Sequence, residues 1–69
     1  MKTYTLEEVN AYRAEVYRIL ISWGEYKEDA DYICDYDPKT CLKTTESIIY
    51  NWSRVMWQTP EEYAELMCM

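Results

Sequence analysis

An all-α fold, a compact bundle of three main helices plus a short, irregular second helix, is what this sequence predicts, and three observations lead there. The chain has one Gly and two Pro in 69 residues, too few turn formers for a many-stranded sheet and enough for a few helices joined by short loops. Apolar residues recur at three- and four-residue spacing, the period of an amphipathic helix. Helix start and stop signals punctuate that pattern. With 49% hydrophobic residues, three Trp and eight Tyr, the composition also excludes an intrinsically disordered chain. Residues 1–69 read as a single small helical domain, with a net stability of about 3 to 5 kcal/mol.

The first helix starts at a capping box, Thr5 with Glu8, in which a hydroxyl and a carboxylate satisfy amides three residues apart. From Leu6, the residues Val9, Tyr12, Val16, Ile19, Leu20 and Trp23 make one apolar stripe. Gly24 ends the helix, because glycine adopts the left-handed C′ conformation without penalty. Arg13 projects from the apolar arc. Its stem is expected to snorkel, with the guanidinium in water or on a carboxylate of another helix; the functional alternative is an interface arginine.

The next stretch, residues 25–37, reads EYKEDADYICDYD and holds six acids and one Lys. On a helix, Tyr26, Ala30, Ile33 and Cys34 form its buried stripe, and Glu25, Asp29, Tyr32 and Tyr36 its outer side. Asp and Tyr are mediocre helix formers, so the helix is short or frayed, and Asp37-Pro38 breaks it. Leu42 is the expected apolar anchor of the following loop.

The central helix is expected over Thr44–Trp57, capped by Thr44 or Thr45, with Glu46 in its positive first turn. Ile48, Ile49, Trp52, Val55 and Met56 form its inner stripe. Tyr50, Arg54 and Trp57 fall together on the outer face. A last helix runs from Pro60 to about Cys68, announced by Thr59 as cap, Pro at the first position and acids in the first turn; its stripe is Tyr63, Leu66 and Met67. The core is expected to gather Trp23, Trp52, Ile48, Val16, Leu20 and Leu66.

Several function classes are disfavoured by the same residues. There is no His, hence no Ser/His or Cys/His pair and not the commonest zinc ligand. A single Gly rules out glycine-rich phosphate loops. Acid pairs such as Asp29/Asp31 and Asp35/Asp37 lie in a short solvated segment with no evident cleft, so the chain is read as no enzyme, with no cofactor and no metal. The net charge of −6 argues against direct nucleic-acid binding and against an anionic membrane surface. No stretch is a membrane span and the acidic N-terminus is no signal peptide, so a cytoplasmic location is expected. Cys34, Cys41 and Cys68 are odd in number and lack metal-site spacing, and read as reduced thiols.

Two helix-loop-helix patterns need weighing. Counting Asp35 as the first position of a calcium loop places Asp37 third, Leu42 eighth and Glu46 twelfth, a degenerate EF-hand. Lys39 and Lys43 then replace two ligands and Thr40 replaces the turn glycine. The segment from Ala30 through Trp52 also offers a helix-turn-helix, but its linker is too long, and Glu46, Tyr50 and Asn51 would be poor readers of DNA.

What remains is binding. Tyr50, Arg54 and Trp57 are the residue types most enriched at interaction hot spots. The acidic edge with Glu25, Asp29, Tyr32 and Tyr36 would extend that surface toward a partner protein with a basic surface. The expected role is therefore a small acidic protein-interaction module that binds or occludes its partner. By class analogy, phage and mobile-element inhibitors of host nucleic-acid-binding enzymes, such as CRISPR effectors, share this size and charge. A homo-oligomer through the same aromatic face is the other structural alternative.

Overall fold

The computed structural model describes residues 3–39 and 41–68. They form four helices and no strand: α1 (Leu6–Ser22), α2 (Lys27–Ile33), α3 (Thr45–Ser53) and α4 (Pro60–Met67). The chain is all-α, with α2 the shortest element. Each start follows from a local signal. Thr5 and Glu8 close a full capping box on α1, Thr59 and Glu62 close another on α4 with Pro60 at its start, and the Thr44 hydroxyl accepts from the Ser47 amide on α3.

The centre of the architecture is α1, on which α2, α3 and α4 each pack, while those three make few contacts with one another. Val9, Tyr12, Val16, Ile19 and Leu20 are buried along the predicted stripe, against Ala30 and Cys34 of the α2 segment, Trp52 of α3 and Ala64 of α4. The side chain of Ala64 is small enough to let α4 approach α1 closely. An aromatic cluster joins three helices: Tyr12 meets the Trp52 ring edge-on at 6.0 Å, and Trp52 meets Tyr63 at 5.3 Å. The Tyr12 hydroxyl donates to Gln58 O at 3.0 Å, which ties α1 to the connection between α3 and α4. Ser53, also buried, accepts from the Tyr4 amide at 3.0 Å and pins the N-terminal segment to the end of α3.

Two helices end in the same way. At α1, Gly24 has φ +90, its amide reaches Ile21 O and the Glu25 amide reaches Leu20 O, which is a Schellman ending. At α2 the left-handed residue is Asp35, φ 60, with the Asp35 amide to Tyr32 O and the Tyr36 amide to Asp31 O. Asp is one of the few residues besides Gly that tolerates this conformation. Helix 2 therefore stops at Ile33, ahead of Asp37-Pro38, because Asp35 turns the chain first.

Several expectations for the core are overturned. Trp23 is 50% exposed: it continues the α1 stripe, but at 1.5 Å per residue α1 runs about 25 Å and α3 and α4 only about 12 to 14 Å, so its last position has no cover. Leu66 is exposed because α4 buries Ala64, and two residues along a helix face almost opposite ways. Tyr26 is exposed because it is the extended N-cap of α2 and not part of the helix. Leu42 anchors nothing and is 87% exposed. Arg13 does not snorkel to water and is only 6% exposed. Finally, α3 ends at Ser53, four residues before Trp57; beyond it the amides of Val55 and Gln58 bond three residues back, in successive tight turns.

Candidate functional site

The early end of α3 reshapes the predicted aromatic face. Tyr50 stays on the helix and is 55% exposed, and Arg54 is the C-cap, its guanidinium carbon 5.8 Å from the Tyr50 ring centroid. These two form one cation–π unit at the surface. Trp57 stands in the turn beyond the helix and is 79% exposed. All three side chains therefore face solvent, and neither ring packs beneath α4.

The acidic-edge residues divide into two groups. Glu25, Asp29 and Tyr32 come together around a hollow of about 260 Å³ closed by Ile33, Met67 and Cys68. Tyr32, Ile33 and Met67 also line a second hollow of about 340 Å³, walled by Asn51 and Trp52 of α3, Val55 beyond it and Tyr63 of α4. Asp35 and Lys43 also line that second hollow, and neither lines the first. The two hollows lie side by side on a shared wall of Tyr32, Ile33 and Met67, and together they are termed the groove. Tyr36 lies apart from it: its ring packs on the Arg13 guanidinium at 4.5 Å and meets Tyr17 edge-on at 5.6 Å.

Residue spacing alone does not reveal the groove, since it places Ile33, Tyr63 and Met67 on buried stripes. One signal was present. Helices of seven and eight residues cannot bury every apolar position against a single neighbour, so part of each stripe is left to line the space between them.

A buried polar network sets the geometry at one end of this groove. Arg13 donates from Nε to Cys34 O at 2.9 Å, from Nη2 to Asp35 O at 2.9 Å and from Nη1 to Asn10 Oδ1 at 3.1 Å. The guanidinium thus caps carbonyls that the α2 ending leaves without helical partners. The Asp35 carboxylate in turn accepts from Trp52 Nε1 and from Lys43 Nζ, both at 2.9 Å. Among the described residues every buried side-chain nitrogen and oxygen has a partner. Through Arg13 and Asp35, α1 fixes the end of α2, and the end of α2 fixes the α3 tryptophan.

The same network bears on the loop that resembled a calcium site. Asp35 is held by Lys43 and Trp52, Asp37 accepts from the Lys39 amide at 2.9 Å, and the eighth-position Leu42 faces water. A cation there would have to displace a lysine. Thr40, the sixth position, lies outside the described residues. Among the described residues no group of three or more Cys, Asp and Glu is arranged to hold a metal ion, and no helix is long and apolar enough to cross a membrane.

The thiols are free. Cys34 is fully buried, and burial pushes its pKa up to about 12, with the neighbouring Arg13 charge offsetting only part of the effect. Such a thiol is a poor nucleophile at neutral pH.

Asp35 gives a graded test of the network. Asp35→Asn keeps an acceptor for Trp52 and tolerates the left-handed backbone, and is expected to lower stability by about 1 kcal/mol or less. Asp35→Ala leaves the indole N–H without its partner and adds backbone strain, and is expected to lower it by about 2 to 4 kcal/mol. Urea unfolding followed by circular dichroism separates the two; a loss for Asp35→Ala no larger than that for Asp35→Asn would mean that the bond to the Trp52 indole contributes nothing of consequence.

Comparisons with known proteins bring no relative to this fold: no family model, curated protein or solved structure matches the chain significantly.

Proposed function

We propose that this chain is a small acidic protein-interaction module that acts by binding or occluding a partner protein. The observation that carries the reading is the exposure of Trp57 and Tyr50 beside Arg54. An indole held in water is unfavourable, and burying the exposed part of such a ring in a partner pocket returns roughly 2 kcal/mol. Arg54 can meanwhile pair with a partner carboxylate. The net charge of −6 then steers approach toward a basic surface, including the basic groove of an enzyme that handles nucleic acid, which the module would block.

Action by binding rather than catalysis is supported by the chemistry present. The chain has no His, and its most buried thiol is held protonated well above neutrality.

Capture from a cell lysate tests the proposal. Wild type is compared with Tyr50→Ala/Arg54→Ala/Trp57→Ala, with circular dichroism on both. The variant is expected to fold, since all three side chains face solvent, and to lose the partner that wild type retains. A folded variant that keeps the same partner would refute the assignment of this face. Raising the salt distinguishes the two contributions: contacts driven by the acids weaken steeply, and those driven by buried rings do not.

A further inference from the structure

We propose that the groove between α2, α3 and α4 is a docking site for a partner segment that carries an apolar anchor followed by a lysine or arginine; this rests on the interaction-module reading and names a partner chemistry for it. The groove exists because α2, α3 and α4 each pack on α1 and barely on one another. None of its lining residues belongs to α1, so it is the gap left open on the side away from that helix. Ile33, Val55, Tyr63 and Met67 put apolar side chains into a lining that is otherwise largely polar, and Tyr32, 63% exposed, is shared by both hollows. The larger hollow, about 340 Å³, is at the lower end of the size range of ligand pockets.

Charge then gives the groove a direction. At one end Asp35 is neutralised by Lys43 and bonded by Trp52. At the other, Glu25 and Asp29 have no cationic partner among the described residues; Glu25 accepts weakly from the Cys68 thiol at 3.5 Å, and nearby Lys27 is held by Asp31 at 3.0 Å. An occupant that places an apolar side chain over Ile33 and Met67 meets two uncompensated carboxylates next to it, which favour a cation. A second copy of this chain is a poor occupant, because its net charge of −6 would set acid against acid. An uncharged apolar ligand would make no use of the acidic end.

The test titrates isotope-labelled protein with an amphipathic Leu/Lys peptide and with matched Leu/Gln and Leu/Glu peptides. Amide shifts and the Trp52 Nε1–H resonance are followed by NMR. The Leu/Lys peptide is expected to give saturable shifts at Tyr32, Ile33, Tyr63, Met67 and the Trp52 indole. The Leu/Gln peptide should bind about tenfold more weakly. The Glu25→Gln/Asp29→Asn variant, whose changes are at side chains without cationic partners among the described residues, should remove most of that difference and leave the fold intact.

Equal binding of the Leu/Lys and Leu/Gln peptides would overturn the proposal, as would shifts confined to Tyr50, Arg54 and Trp57. The latter result would leave the interaction-module reading standing on its aromatic face. No saturable shift with any peptide would overturn the groove as a docking site, and lysate capture by wild type would show independently whether the wider reading survives. Groove shifts that depend on the concentration of the protein alone would assign the groove to a second copy and overturn the partner segment.

Discussion

Arg13→Ala is expected to leave much of the protein unfolded at 25 °C. The side chain is only 6% exposed and donates hydrogen bonds to two main-chain carbonyls at the end of α2 and to Asn10. Truncating it leaves those carbonyls without donors, at about 1 to 3 kcal/mol each, and opens a cavity beside the Tyr36 ring. The sum is about 3 kcal/mol or more, comparable with the whole stability of a domain this size. Arg13→Lys is expected to be intermediate, because an ammonium group lacks the planar fork that serves two carbonyls at once. Arg18 is the control: it is exposed and pairs with Glu15 on the same helix, and Arg18→Ala is expected to leave the urea midpoint close to that of wild type. Urea unfolding followed by circular dichroism ranks the three. If Arg13→Ala unfolds with the wild-type midpoint, the guanidinium is not what holds α2 to α1.

The second large effect is alkaline unfolding. Burial pushes the Tyr12 hydroxyl up to about 12, helped by Tyr63 and the acids Glu62 and Glu61, and pushes the Cys34 thiol up to about 12 as well. Tyr63 and Tyr36 are raised by burial in the same sense. In the unfolded chain the thiol loses its proton from about pH 9 and the phenols from about pH 10, while the folded chain keeps them. The unfolded state then binds fewer protons, so stability falls as pH rises. The contribution of these groups is complete below about pH 9 and is lost as pH passes through about 12. The buried Tyr12 and Cys34 each cost about 1.4 kcal/mol per pH unit within their windows, enough for the two together to unfold the domain before pH 12. Urea midpoints measured from pH 7 to pH 11 should decline steadily above pH 9. Tyr12→Phe, which removes one of the groups together with its bond to Gln58, should start lower and decline less steeply above pH 10. A midpoint flat to pH 11 would mean that these side chains are solvated in the folded protein.

These two effects separate what was legible in the sequence from what was not. The helix starts were legible because they are local: Thr5 with Glu8, Thr44, and Thr59 with Pro60 and Glu62 each sit within one turn of the amides they satisfy. The α1 stripe was legible for the same reason, and Gly24 marked its end. Periodicity gives a face but not what lies opposite it. Trp23 and Leu66 belong to apolar stripes and are exposed because no neighbouring helix reaches them. Arg13 was misplaced because its partners are main-chain carbonyls, which carry no side-chain signature, and they become available only because Asp35 takes the left-handed conformation. Exposure at Tyr50, Arg54 and Trp57 matched their spacing. Their joint geometry did not, since α3 ends before Trp57, where the Tyr12 hydroxyl bonds the following turns. The groove needed the packing of three short helices on one long one, which no single stretch of sequence encodes.

The interaction-module reading requires that a particular exposed tryptophan matter for binding rather than exposed tryptophans in general, and the chain supplies its own control in Trp23, 50% exposed at the end of α1. The measurement is isothermal titration of the captured partner with wild type, Trp57→Ala and Trp23→Ala, each shown to be folded. Trp57→Ala is expected to lose about 2 kcal/mol or more, roughly thirtyfold in affinity, and Trp23→Ala to change little. Equal affinities for all three proteins, or a loss confined to Trp23→Ala, would contradict the interaction-module reading.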